Sequence, residues 1–195
     1  MTGTRPDVTV VREGRLVREG PAIVEASSSV TMVRTDGMIV LVDTGSSAEA
    51  GQLEETLRSQ HVEPRKVDIV VNTHLHMDHI GGNGLFQNAR FYAHGLESPP
   101  VGTVRVAEEM DLSPGVKLLH TPGHTAGSIS VLVRGERRYA ICGDAIPTRA
   151  NLEKHVPPAI NIDQRLALKS MEVLERSADV IVPGHEGPFE VAGKN

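Results

Sequence analysis

Asn72-Thr73-His74-Leu75-His76-Met77-Asp78-His79-Ile80-Gly81-Gly82 follows directly on the β-branched run Val67–Val71. The run reads as a buried central strand, and the loop after it lies where strand ends commonly build functional sites. His74, His76, Asp78 and His79 place three imidazoles and a carboxylate within one short stretch. Nitrogen and oxygen donors of this kind suit borderline divalent metals such as zinc, iron or manganese. A structural site is normally closed by four ligands, often cysteines. Here the only cysteine, Cys142, stands elsewhere, and candidate ligands outnumber the needs of one closed site. Solvated surface histidines are the bland alternative, and context has to decide between the two.

The context comes from three further turns. His124 sits in Thr121-Pro122-Gly123-His124-Thr125, between two expected strands. Asp144 follows the expected strand Tyr139–Cys142, and His185 closes Pro183-Gly184-His185 after Val180–Val182. Each alone reads as a turn histidine or a capping aspartate. Together, four segments put a metal-competent side chain just past a β-strand, and a shared sheet edge can bring them together.

The rest of the chain supplies those strands. Period-2 and β-branched runs predict strands at Val8–Val11, Ala22–Glu25, Val30–Arg34, Met38–Val42, Arg90–Ala93, Val104–Glu108, Val116–Leu119 and Ser128–Val133. Asp36-Gly37 predicts a tight hairpin turn. A helix is expected from Ser47 to Gln60, with Leu53 and Leu57 inward and Ser46 or Ser47 as cap. Another is expected from Gln164 to Ser177, capped by Asp163, with Leu166, Met171 and Leu174 inward. Strands interleaved with helices predict an α/β fold of two packed sheets with helices on the outer faces. One domain spanning residues 1–195 is expected from a chain of 195 residues.

Composition narrows the function. The formal charge is -5, and no basic stripe is visible, which disfavours nucleic acid as a partner. A single cysteine allows no intrachain disulfide and suits a cytoplasmic location. Met1–Val11 shows no signal-peptide pattern, and no apolar run is long enough to span a bilayer. A homodimer is the base-rate expectation.

With Asp43 at the end of Met38–Val42, then His74, His76, Asp78 and His79, then His124, Asp144 and His185, the sequence resembles the metallo-β-lactamase superfamily from about Thr31 onward. The resemblance implies a four-layer αβ/βα sandwich of two mixed β-sheets flanked by helices. It implies two divalent metal ions, zinc first and iron or manganese as alternatives. His74, His76 and His124 are then expected to hold one, and Asp78, His79 and His185 the other, with Asp144 between them. Asp43 is expected to orient a ligand histidine. A hydroxide shared by the two ions is the expected nucleophile, and Asp78, the candidate catalytic side chain, is expected to help orient it.

Departures from subfamily patterns point to the substrate. Drug-hydrolysing β-lactamases lack the aspartate seen at Asp144, and flavodiiron proteins carry glutamate where His76 stands. The helical extension of glyoxalase II and the inserted domain of β-CASP nucleases have no counterpart in the sequence. Gly143–Thr148 with Asn151, Asp163 and Ser170 resembles acyl-homoserine-lactone lactonases, without the tyrosine they place near the bridging aspartate. Ser177–Phe189 is similar to small superfamily members also found in animals. A small-molecule ester, thioester or lactone is therefore the first expectation. A phosphodiester or RNA is the second, and a non-catalytic metal-binding protein the third. The loops His94–Gly102 and Ala145–Ile160 are expected to set specificity. Of the other histidines, His94 and His61 read as surface groups, His155 as a loop residue and His120 as structural.

Overall fold

The computed structural model describes residues 5–20 and 22–193, so the two ends of the expected 1–195 domain lie outside the described residues. Fourteen strands form there: β1 Asp7–Arg12, β2 Arg15–Glu19, β3 Ala22–Ser27, β4 Val30–Thr35, β5 Met38–Val42, β6 Ile69–Val71, β7 Arg90–His94, β8 Val104–Val106, β9 Glu109–Ser113, β10 Val116–His120, β11 Ile129–Arg134, β12 Arg138–Gly143, β13 Val180–Pro183 and β14 Phe189–Glu190. Four α-helices accompany them: α1 Ala50–Ser59, α2 Met77–Ile80, α3 Arg149–Glu153 and α4 Gln164–Ser177.

One six-stranded sheet runs β1-β4-β5-β6-β7-β8 and a second runs β14-β13-β12-β11-β10-β9. Both are mixed: β5, β6, β7 and β8 pair in parallel, as do β12 and β13, and the other ladders are antiparallel. Alternation along each strand explains the layers. Val40, Val42 and Val71 face Leu118, Val131 and Val182 between the sheets. Leu41 and Val70, one residue out of phase, face outward onto Leu53 and Leu57 of α1. On the far side Ala140, Cys142 and Ile181 meet Met171 and Leu174 of α4. Helix, sheet, sheet and helix stack as the expected αβ/βα sandwich. Because both faces of the central strands are covered, their sequences are apolar at nearly every position.

Several local expectations need correction. The strand expected at Val67–Val71 begins only at Ile69, after a 3-10 turn at Pro64–Lys66; Asp68 instead binds Ile39 through its own N–H and its carboxylate. Ser47–Glu49 is a 3-10 turn before α1, and neither serine caps the helix. Ser46 N–H is already taken by Ser27 Oγ. Leu166, expected inward, is 40% exposed in the first turn of α4, whose buried positions are Ala167, Ser170, Met171 and Leu174. Asp163 does cap that helix, accepting from Arg165 N and Leu166 N. The stretch expected as Val104–Glu108 ends at Val106, and the chain then crosses to the other sheet as β9. The polar strands β2 and β9 were not anticipated; β2 pairs only with β3, as a ribbon outside both sheets.

Candidate metal centre

The parallel pairing of β5, β6 and β7 sets their C-terminal ends side by side, and each end feeds a loop at one edge of the sandwich. Asp43 follows β5, His74–His79 follow β6, His124 follows β10, Asp144 follows β12 and His185 follows β13. The structure brings all seven expected ligand side chains together. Three groups of donor atoms lie within 4.8 Å of one another: His74, His76 and His124; His74, His79 and Asp144; and Asp78, His79 and His185. His74 Nε2, His76 Nδ1 and His124 Nε2 form a triangle with sides of 3.0, 3.0 and 3.2 Å. Asp144 stands between the groups, its Oδ2 3.4 Å from His124 Nε2, and its Oδ1 3.4 Å from His79 Nε2 and 3.2 Å from His185 Nε2. Asp78 Oδ2 completes the third group, 3.5 Å from His185 Nε2.

Partners on the far side of each ring fix which nitrogen points inward. His79 Nδ1 donates to Asp43 Oδ2 at 2.7 Å, His124 Nδ1 to Ile160 O at 2.7 Å, and His185 Nδ1 to Ser27 O at 3.1 Å. With Nδ1 so engaged, each of these three rings aims its Nε2 at the centre. Asp43 plays the expected orienting part, and its carboxylate also accepts from Thr73 N and Thr73 Oγ1. The carbonyls of Ser27 and Ile160 carry no signal in a sequence, since every residue has one. Gly143, at φ +48°, lets the chain turn from β12 into Asp144 with Thr73 packed against it.

The residues present fit a cation. Three imidazole nitrogens converge with too few protons to satisfy one another, and His79 Nε2 and Asp144 Oδ1 are buried without a hydrogen bond. A divalent ion resolves both, because nitrogen and carboxylate donors match it in type and number. The electrostatics agree. Burial, aided by the charge of His79, holds the His74 imidazole well below its ordinary range and so neutral. Burial also acts to lower His79, but Asp43 and Asp144 on either side overcome it and lift it to about 10. Burial would raise Asp144, yet His79 and His185 draw it well below the usual carboxylate range.

The centre forms the floor of a cavity of about 510 Å³. Pro147, Thr148, Asn151 and Val156–Ile160 make one wall, and Leu16, Arg18, Ile23 and Ala26 of the β2–β3 ribbon the other. Of the two loops expected to set specificity, Ala145–Ile160 contributes to this wall. His94–Gly102 does not line this cavity; Pro99–Gly102 border a separate one beside Phe91 and Gln87. His94 is no surface group either: β7 runs on to include it, it is 5% exposed, and its ring stacks on His120 with centroids 4.1 Å apart. His120 donates to Ala126 O and is structural as expected. His61 and His155 are exposed, and Cys142 is buried, which pushes its thiol pKa up and makes it unreactive. Gly81 and Gly82 pack directly on the Thr44–Ser47 backbone, where a Cβ would not fit.

Residues 24–104 and 96–185 match the family model described as the metallo-beta-lactamase superfamily. The chain belongs to that superfamily. As a member it is a metal-dependent hydrolase. A Methanocaldococcus jannaschii protein named "Probable metallo-hydrolase" is 36% identical over 180 residues, spanning 92% of this chain and 87% of the relative. A Xenopus laevis metallo-beta-lactamase domain-containing protein 1 is 30% identical, spanning 97% and 83%. A Bacillus N-acyl homoserine lactonase is 29% identical, spanning 86% and 77%. A metallo-β-lactamase structure from Thermotoga maritima superposes with a TM-score of 0.80 at 23% identity, covering 95% of this chain and 99% of that one. The superfamily fold is thus matched over nearly the whole chain. The B. thuringiensis lactonase AiiA, solved with N-decanoyl-L-homoserine at its active site, superposes with a TM-score of 0.74 at 23% identity, covering 95% and 94%.

Proposed function

We propose that the chain is a dinuclear hydrolase of an ester, thioester or lactone, with residues 1–195 acting as one catalytic domain. The observation that carries this reading is Asp144, whose two carboxylate oxygens face opposite halves of the histidine cluster at the floor of an apolar-walled cavity. His74, His76 and His124 would hold one ion and Asp78, His79 and His185 the other, with Asp144 shared. Two divalent cations there, zinc first and iron or manganese as alternatives, supply Lewis acidity and a water that is nucleophilic near neutral pH.

The chain's own residues do the rest. Asp78, with a side chain 27% exposed, reaches from the centre into the cavity. Its carboxylate accepts a hydrogen bond from the attacking water and aims it at the scissile carbonyl. Leu16, Ile23, Val156 and Ile160 take the apolar part of the substrate and displace bulk water. Thr148 and Asn151 line the same wall and offer polar contacts. No tyrosine lines the cavity; Tyr92 lies between the sheets, and Tyr139 packs against that core. Acyl-homoserine lactones are therefore only one member of the substrate class.

Nucleic acid fits less well. Among the described residues lining the cavity, Arg18 is the one arginine or lysine. Arg137 and Arg138, on the turn where a basic groove would be sought, pair with Glu190 and Asp179. A cytoplasmic, zinc-loaded enzyme, assembled as a homodimer, completes the proposal; no helix of the described residues is long and apolar enough to cross a membrane. Turnover by the zinc-loaded protein of thioesters, lactones, bis-p-nitrophenyl phosphate and single-stranded RNA tests it. Hydrolysis confined to the two phosphodiesters refutes the ester reading, and silence on all four supports a non-catalytic metal protein.

A further inference from the structure

The triangle of His74, His76 and His124 is assembled from two sheets. His74 and His76 leave β6 in one, and His124 follows β10 in the other. Its geometry therefore depends on how two separate loops are held against each other. One backbone bond, Ile129 N to Thr73 O at 2.8 Å, spans them. A further link comes from a third loop, through the side chain of Glu97.

Glu97 ends the 3-10 turn Gly95–Glu97 that follows β7. Its Oε2 accepts from Leu75 N at 3.1 Å, the backbone between His74 and His76. Its Oε1 accepts from Thr125 Oγ1 at 2.7 Å, next to His124, and from Gly127 N at 3.0 Å. Gly127 lies so close that a Cβ there would stand 2.8 Å from Glu97 Cγ and 2.8 Å from its Oε1. The turn that carries Glu97 is itself pinned, with Leu96 N donating to His94 Nδ1 and the His94 ring stacked on His120 at the end of β10. A carboxylate is the only ordinary side chain that accepts at both ends and donates at neither. All three groups it meets are donors.

We propose that Glu97 is a positioning residue for the cation site of His74, His76 and His124, clamping the two ligand loops at their working separation without touching the ion or substrate. The proposal rests on the metal-centre reading above. It makes a site-specific demand: Glu97 bonds to the backbone between His74 and His76 and to the His124 loop, and makes no bond to Asp78, His79 or His185, so its loss is expected to fall on the first site.

The test is a chelator-competition titration of the full chain with Zn²⁺, resolving two binding steps, with Co²⁺ absorption spectra to report ligand geometry. Glu97→Ala is expected to weaken one step about 10–100-fold, the usual effect of losing a group that orients a ligand. The other step stays unchanged, and the Co²⁺ bands of the weakened site shift. Glu97→Gln keeps one accepting oxygen for Thr125 and Gly127 and loses Leu75. It is expected to fall between wild type and alanine, by a few-fold to about tenfold. If alanine at this position prevents folding, the glutamine variant and Thr125→Val, which deletes the 2.7 Å bond to Glu97 together with the one to Ser128 Oγ, carry the same comparison. Equal weakening of both steps means general loosening and overturns the proposal, as does wild-type affinity at both. A wild-type chain that takes up no cation overturns the metal-centre reading, and this inference with it.

Discussion

Asp43→Asn isolates the orienting role of one buried carboxylate. Asparagine has nearly the same shape and tolerates the left-handed backbone that Asp43 adopts at φ +56°, so the sandwich is expected to form. The hydrogen bonds do not survive intact. Asp43 accepts from Thr73 N at 2.8 Å, Thr73 Oγ1 at 2.7 Å and His79 Nδ1 at 2.7 Å. With its oxygen toward Thr73 N, the asparagine turns its NH₂ on His79 Nδ1. The ring must then carry its proton on Nε2, the atom aimed at the centre. With the amide flipped, His79 keeps its tautomer but a buried Thr73 N–H loses its acceptor, at a cost of about 1–3 kcal/mol. Cation binding must select the flipped arrangement over the other, so a similar amount is subtracted from affinity, which corresponds to roughly 5- to 150-fold. Chelator competition with Zn²⁺ is expected to show one of two sites weakened about 10–100-fold. Excess metal should restore turnover, because no reacting group has been removed. Asp43→Asn with both affinities within about threefold of wild type would refute the reasoning.

Asp78→Ala is expected to keep its fold by circular dichroism and to lose about 10²–10⁴-fold in kcat/KM at saturating metal; retained turnover removes Asp78 from the mechanism. Gly143→Ala places a Cβ 2.4 Å from Thr73 Oγ1 at φ +48°, so thermal melts should show a loss of about 2–4 kcal/mol, and a melt like wild type contradicts the close packing. The His79 pKa, lifted to about 10 in the ion-free protein, gives a signed pH effect. Its contribution to stability is full below the unfolded value of about 6.5 and is lost as pH rises through about 10. Melts of the ion-free protein should therefore decline toward alkaline pH. A cation needs the ring neutral, so its uptake near pH 8 should release about one proton, measured by calorimetry in buffers of different ionisation enthalpy; zero release contradicts the assignment.

The central strands and the donor cluster were legible because each obeys a strong local rule. Strands covered on both faces must be apolar, and metal donors can be drawn from few residue types. What failed to show is what tertiary contacts decide. Glu109–Ser113 is too polar to look like a strand, yet it pairs with β10. Ser46 and Ser47 resemble helix caps, but the Ser46 hydroxyl turns to the Glu49 carboxylate and caps no N–H. His94 reads as a loop histidine until β7 is seen to carry it under His120. Glu97 offers no motif at all, since its three partners are two backbone N–H groups and a hydroxyl from segments distant in sequence.

The β2–β3 ribbon belongs to neither sheet, and that separateness has a use. Its cavity-facing side chains can be exchanged without opening a void in any of the three apolar clusters, whose buried members leave out Leu16, Arg18 and Ile23. Substrate preference can drift at these three positions while Ser27, at the end of the same ribbon, goes on holding His185 at the cavity floor. Diversifying those three positions is accordingly the shortest route to retargeting this scaffold.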